Sequence, residues 1–226
     1  MRGIRKVNRA RLFVISAPSG CGKGTVLSRA FENRPVFYSV SYTTREKREG
    51  EEEGKQYHFI DRRRFEKMIE DRDLLEYARY VDNYYGTPKL PVVENLARGN
   101  DVILEIETEG AFQVKKSYPD AVLVFILPPS LEALYERLKA RGTEDDATIR
   151  KRVAKALDEI KHSYRYDYAI LNDDLDTAVK DLLEIVDSER NEQTALRHST
   201  KEDDAVKLIE KVILDAKTSS LSNLEK

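Results

Sequence analysis

Lys23 is the residue of this chain whose surroundings most plainly suggest chemistry. It stands in Ala17-Pro18-Ser19-Gly20-Cys21-Gly22-Lys23-Gly24-Thr25, directly after the apolar run Leu12-Phe13-Val14-Ile15. That order predicts a buried strand, a glycine-rich turn and a helix starting near Thr25. Glycines let successive N–H groups converge, and a helix N-terminus adds partial positive charge. A lysine in such a cradle reaches the β- and γ-phosphates of a nucleotide. The stretch approximates the phosphate-loop pattern G-x-x-x-x-G-K-[ST] with two departures. Ala17 replaces the first glycine, and Gly24 takes the hydroxyl position with Thr25 one step later. On this stretch alone, a turn carrying a merely solvated lysine is the competing reading. Cys21, beside a helix start, is a candidate for a lowered thiol pKa and oxidation sensitivity, against a simple spacer role.

A second anion site is suggested by Ser39-Val40-Ser41-Tyr42-Thr43-Thr44-Arg45-Glu46-Lys47-Arg48-Glu49-Gly50. Planar guanidinium groups bind phosphate bidentately, so Arg45 and Arg48 would make an anion clamp if they converge. Tyr57 and Tyr85 can donate hydroxyl hydrogen bonds to the same anion. Each of these residues, taken singly, also fits a solvated loop or a half-buried structural tyrosine.

The elements that must position these groups follow from the apolar pattern. Residues 11–17, 101–106, 121–127 and 168–171 read as strands buried on both faces, as in a parallel sheet. Helices are expected over 25–33, 91–98, 130–141, 147–163 and 174–190, several with a good N-cap or a terminal glycine. Alternating strands and helices imply βαβ units in three α/β layers. Residues 39–86 break the alternation. They are polar and rich in arginine and tyrosine, with strand-like pieces at 57–60 and 74–81 around a helix at 62–71. Arginines recur over 136–155 as in a mobile helical flap. The polar tail from about Arg197 contains helical spacing over 204–216, which predicts a helix docked on the body, a partner-binding helix being the other reading.

Composition sets bounds. The chain has 226 residues, 39 basic against 41 acidic, and 40% hydrophobic content. A core of ordinary size is available, and the charge balance argues against a general nucleic-acid or membrane-surface binder. One cysteine forbids an internal disulfide and fits a reducing cytoplasm, and three histidines with that cysteine argue against structural zinc. The basic start, Met1–Arg11, is followed by too short an apolar run for a signal peptide.

Seven strings in order give a specific resemblance. They are Ala-Pro-Ser-Gly-x-Gly-Lys at 17–23, Ser-Val-Ser-x-Thr-Thr-Arg at 39–45, Asn-Tyr-Tyr-Gly-Thr at 83–87 and Glu-Ile-Glu-x-x-Gly at 105–110, then Leu-Pro-Pro-Ser at 127–130, Arg-Gly-Thr-Glu at 141–144 and Asn-Asp-Asp at 172–174. Together they resemble the guanylate kinases, over roughly residues 11–190, and the Gly24-Thr25 variant occurs in that family. The resemblance implies a three-layer α/β P-loop kinase core with a parallel sheet (1–38, 86–133 and 164–197), an inserted GMP-binding α+β subdomain (39–85), a helical lid (134–163) and a polar, partly helical tail (198–226). It implies phosphoryl transfer from ATP to GMP, and to dGMP, in purine nucleotide metabolism, with Mg²⁺ as cofactor and no nucleic-acid or membrane partner, as a monomer or a homo-oligomer.

The residue roles are likewise implied. Residues 17–25 (Ala17, Pro18, Ser19, Gly20, Cys21, Gly22, Lys23, Gly24, Thr25) and Asn172 stand at ATP positions, Asn172 near the adenine. Ser41, Arg45, Arg48, Tyr57, Glu76, Tyr85, Thr87 and Glu107 stand at GMP positions, the arginines and tyrosines on the phosphate and the others around guanine. Guanine offers adjacent N1–H and N2 donors that a carboxylate accepts, whereas adenine would leave buried groups unpaired. Lys23, Arg45, Arg137, Arg141 and Arg152 are the implied catalytic cations, and Thr25 with Glu105 the implied metal contacts, Glu105 through water. Glu105 stands where many members carry Asp. Closure of the insert and the flap is expected to exclude water. Two alternatives stay open at this point: a guanylate-kinase-like binding module that has lost catalysis, and a kinase for another small acceptor.

Overall fold

The computed structural model describes residues 10–80, 82–191 and 203–218. Residues 1–9, Val81, 192–202 and the last eight residues lie outside them, and with them most of the basic start, the strand end expected at Val81 and much of the polar tail. Among the described residues no helix is long and apolar enough to cross a membrane.

The apolar runs form strands as their composition requires. β1 (Leu12–Ser16), β7 (Asp101–Glu105), β8 (Val122–Leu127) and β9 (Tyr168–Leu171) fall within the expected segments. With the short β2 (Val36–Tyr38) they make a five-stranded sheet of order β2-β7-β1-β8-β9. The β1–β7, β2–β7 and β8–β9 pairs are parallel. Every residue of β1 and β8 is buried, which explains why these strands read as continuous rather than alternating apolar runs. Each such Leu, Val, Ile or Phe contributes about 1.5–3 kcal/mol on leaving water.

The described chain divides into two compact units. The first comprises the chain up to Ile15 and Pro35–Val122. Besides β1, β2 and β7 it holds a second sheet, order β4-β3-β6-β5, built from β3 (Tyr42–Thr43), β4 (His58–Phe59), β5 (Leu74–Tyr80) and β6 (Asn83–Pro88). Its helices are α2 (Arg62–Glu70), α3 (Lys89–Ala97) and α4 (Thr108–Ser117). Asp61 caps α2 by accepting from the Arg64 N–H at 2.8 Å. Pro91 lies in the first turn of α3, where its missing N–H has no intrahelical duty, so the helix begins two residues before the expected start.

The second unit comprises Ser16–Arg34 and the chain from Leu123. It contains α1 (Lys23–Phe31), α5 (Leu131–Ala140), α6 (Asp146–His162), a 3-10 turn at Ser163–Arg165, α7 (Leu175–Arg190) and α8 (Asp203–Thr218). Ser130, Asp145 and Asp174 cap α5, α6 and α7 with their side chains. α8 packs on α5, α6 and β9, with Ile209 and Val212 buried in the same apolar cluster as Leu134, Leu138 and Val153. The tail helix is therefore docked on its own chain.

Candidate functional site

The second unit carries the glycine loop. Residues 17–22 link β1 to α1, and the turn is closed by the Cys21 N–H on the Pro18 carbonyl at 3.1 Å. Gly22, at φ +89°, is the N-cap of α1, and no side chain caps the helix there. No acidic residue lies in the first turn. The leading N–H groups and the helix dipole are thus directed to an external anion. α1 starts at Lys23, two residues earlier than expected, which places the lysine itself in the first turn. Thr25 is exposed one position beyond Gly24.

Two arginines from the helical pair converge on this loop. Arg152 donates to Ser19 Oγ at 2.6 Å and to Glu144 at 2.5 Å. Arg137 donates to the Asn172 carbonyl at 2.9 Å and to the Cys21 carbonyl at 3.4 Å. Arg141 is exposed at the C-cap of α5, and its side chain has no hydrogen-bond partner among the described residues. Asn172 is buried, and its amide donates to the Cys21 carbonyl at 2.6 Å. Glu144, which holds Arg152, is legible in the sequence only as part of the motif string at 141–144.

Of the two readings of Cys21, the structure favours the spacer over the reactive thiol. Its thiol is wholly buried and lies 3.4 Å from the Ile126 carbonyl. Burial pushes its pKa up to about 12, against the opposing pull of Arg137 and Lys23. At pH 8 the thiolate is then only about one part in 10⁴, so the helix-start argument for reactivity loses to desolvation. The native protein is expected to resist a thiol-labelling disulfide reagent at pH 8 and to react after unfolding in guanidinium. Rapid stoichiometric labelling of the native state would contradict the buried, protonated thiol.

The first unit carries the arginine and tyrosine cluster. Arg45 makes a bidentate ion pair with Glu51, Nη1 to Oε2 at 2.9 Å and Nη2 to Oε1 at 2.8 Å. Its guanidinium lies 5.5 Å from the Tyr57 ring centre and 5.7 Å from that of Phe59. Tyr57 meets Tyr85 edge-on with ring centres 5.7 Å apart. Burial raises the Tyr57 pKa first and the neighbouring Tyr85 adds to it, so its hydroxyl remains a donor. Arg48 is exposed, and its backbone N–H donates to Glu51 at 2.8 Å. Hydrogen bonds from Arg45 and from the Arg48 backbone pull the Glu51 pKa down to about 2. The structure thus brings Arg45, Tyr57 and Tyr85 together and adds Glu51. Sequence reasoning misses Glu51 because Glu49, Glu51, Glu52 and Glu53 read as one charge run.

Beside this cluster stand Glu76 and Thr87, directly opposed across β5 and β6. The strand register shifts between Leu74 and Glu76, just before this pair. Glu76 is buried, and Thr87 Oγ1 donates to its Oε1 at 2.6 Å. Desolvation raises the Glu76 pKa to about 7, opposed by the Thr87 hydrogen bonds. Gly110 of α4 makes the space for this carboxyl, since a Cβ there would meet Glu76 Oε2 at 2.6 Å. Glu107 is the exposed N-cap of α4. Glu105 ends β7 and accepts from the Tyr38 hydroxyl on β2. That tyrosine gives no sequence signal, because its strand is only three residues long. Ser41 is half-buried, its carbonyl held by the His58 N–H at 2.8 Å.

Comparison with known proteins identifies a family. The guanylate kinase family model matches residues 9–189. The chain is 55% identical to the guanylate kinase of Carboxydothermus hydrogenoformans over 185 residues, 81% of this chain and 91% of that one. It is 49% identical to a guanylate kinase of Thermus thermophilus over 182 residues, 80% of this chain and 83% of that one. Among solved structures, the guanylate kinase of Anaplasma phagocytophilum superposes with a TM-score of 0.65 at 31% identity, covering 81% of this chain and 87% of that one.

Proposed function

The chain belongs to the guanylate kinase family, and from that premise we propose how its own residues move the terminal phosphoryl group of ATP to GMP, giving ADP and GDP. Its activity is that of an ATP:GMP phosphotransferase. The observation that carries the residue assignment is the buried Glu76–Thr87 pair beside the Arg45–Tyr57–Tyr85 cluster. It joins a guanine-reading carboxylate to a phosphate clamp within one compact unit.

In this reading Arg45, Arg48, Tyr57 and Tyr85 take the GMP phosphate, and Glu51 keeps Arg45 aimed until the substrate arrives. Ser41, Glu76, Thr87 and Glu107 surround the base. Residues 17–25 with Asn172 hold ATP, and Lys23, Arg137, Arg141 and Arg152 neutralise charge on its phosphates. Residues 39–85 form the GMP-binding part, and 134–163 the helical lid of the ATP part. The attacking group is a GMP phosphate oxygen, already ionised near neutral pH. No general base is needed, and catalysis is positioning plus charge neutralisation by permanently cationic side chains.

The donor set suits Mg²⁺. Thr25 and Glu105 offer hard oxygen atoms, a hydroxyl and a carboxylate. A Mg²⁺ ion characteristically takes one or two protein oxygens and fills its shell with water and phosphate oxygens. Thr25, and Glu105 through water, would hold it, and the ion would supply further neutralisation of the phosphate charge. We also assign dGMP as an acceptor and the cytoplasm as the site of action, the latter in keeping with one unpaired, buried cysteine.

A coupled assay with ATP and each nucleoside monophosphate tests this reading. GMP is expected to exceed AMP, UMP and CMP in kcat/KM by at least about 10²-fold, as a site with buried polar groups rejects a base that leaves them unpaired. Comparable rates with any of the three would overturn it.

A further inference from the structure

Asn172 stands one residue beyond β9, and the resemblance to the family would put it beside the adenine of ATP. Its observed contacts point elsewhere. The side-chain amide is buried and donates to the Cys21 carbonyl at 2.6 Å. Its backbone N–H is tied to the Leu127 carbonyl at 2.8 Å, and its own carbonyl accepts from Arg137 at 2.9 Å. Because the partner at Cys21 is a carbonyl, the NH₂ end of the amide must face it, which fixes the amide orientation. Arg137 adds a second donor to the same Cys21 oxygen at 3.4 Å.

The peptide that this pins lies in the middle of the phosphate loop. Carbonyl and N–H of a trans peptide point in opposite directions. Holding the Cys21 oxygen toward Asn172 therefore turns the Gly22 N–H away from it, to the other side of the loop. Gly22 is also packed against the same side chain, since a Cβ there would meet Asn172 Nδ2 at 2.7 Å. Two features thus set one peptide plane: the amide beneath the carbonyl, and a φ of +89° that disfavours any side chain at Gly22. We propose that Asn172 is a positioning residue for the donor's phosphates, acting through the Cys21–Gly22 peptide, and not a reader of the donor's base.

The inference rests on the ATP assignment above, and the test separates the two. Binding of ATP and of inorganic tripolyphosphate, each with Mg²⁺, is measured by calorimetry for the wild type and for Asn172→Leu, which keeps the volume and removes the donor. Loss of one hydrogen bond that orients the loop is expected to weaken both ligands equally, by about tenfold, and to leave GMP affinity unchanged. A general lesion of the fold would weaken GMP as well, and that result would overturn the proposal. So would loss of ATP affinity with tripolyphosphate spared, which would make Asn172 a base contact while leaving the ATP assignment intact. Failure of the wild type to bind either ligand would instead remove the ATP assignment. Should Asn172→Leu not fold, Asn172→Ser, whose hydroxyl is too short to reach the carbonyl, is read by the same three ligands.

Discussion

Replacing Lys23 by alanine is expected to lower kcat by on the order of 10³-fold or more, while the affinity for GMP stays within about twofold of the wild type. The lysine begins α1, directly after the Gly22 N-cap. Its amine is a mobile point charge on a flexible stem, suited to follow charge as it spreads over the transferring phosphoryl group. No other group in the loop from Ala17 to Gly24 is cationic, so its loss has no local substitute. The GMP contacts proposed here belong to the other compact unit and are untouched by the substitution. Single-turnover kinetics with saturating ATP, alongside a GMP binding titration, measure the two quantities separately. Turnover near the wild-type rate would remove Lys23 from the mechanism.

Glu76→Gln is expected to lower kcat/KM for GMP by about 10²-fold, as two adjacent guanine donors would then meet an amide that offers only one acceptor. The ionised carboxylate is the form that accepts both donors, and the Glu76 pKa in the ligand-free protein is raised to about 7. KM for GMP in the wild type should therefore rise about tenfold per pH unit below 7. The phosphate of GMP adds a step near pH 6, by analogy with other phosphate monoesters. In Glu76→Gln only that lower step should remain, and a profile still breaking near 7 would reject Glu76 as the titrating group.

The same shift has a stability consequence whose sign is fixed. A carboxyl of pKa 4.5 in the unfolded chain and about 7 in the fold binds its proton more tightly when folded. Its contribution is favourable below pH 4.5, is lost as pH rises through 7, and amounts to about 3 kcal/mol at most. Glu76→Gln should thus melt higher than the wild type at pH 8 and about equally at pH 4. A lower melting point at pH 8 would mean that the Thr87 bond at 2.6 Å outweighs the burial of charge.

What can be read from the sequence follows the range of the interactions concerned. The loop at 17–25 and the buried strands are local patterns, since glycine spacing and continuous Val, Ile, Leu and Phe report backbone needs directly. Starts of the expected helices are legible to within two residues because caps such as Ser130 and Asp174 are local too, whereas α4, whose N-cap Glu107 makes no side-chain cap bond, is not anticipated. β6 does not read as a strand. Gly86 and Pro88 resemble turn residues, yet Gly86 is there because the Phe65 ring and the Glu76 carbonyl approach within 2.9 and 3.0 Å of where a Cβ would sit. The partners of the site residues are the least legible part. Glu51 for Arg45, Tyr38 for Glu105 and Cys21 for Asn172 are pairings across 6, 67 and 151 positions. The last two bring together residues that no single motif string contains.

The two compact units are each drawn from two separate stretches of chain, and the phosphate loop belongs to the one completed last. A ribosome adds about 5–20 residues per second. Val26, Leu27 and Ala30, the buried face of α1, therefore leave the exit tunnel roughly ten seconds ahead of β9 and Asn172. In that interval the nascent chain can assemble the unit proposed above to bind GMP, while α1 remains an uncovered amphipathic segment, the kind of surface that a holding chaperone engages. On the proposed assignment, the donor site is completed only once Arg152 and Asn172 have emerged, long after its glycine loop.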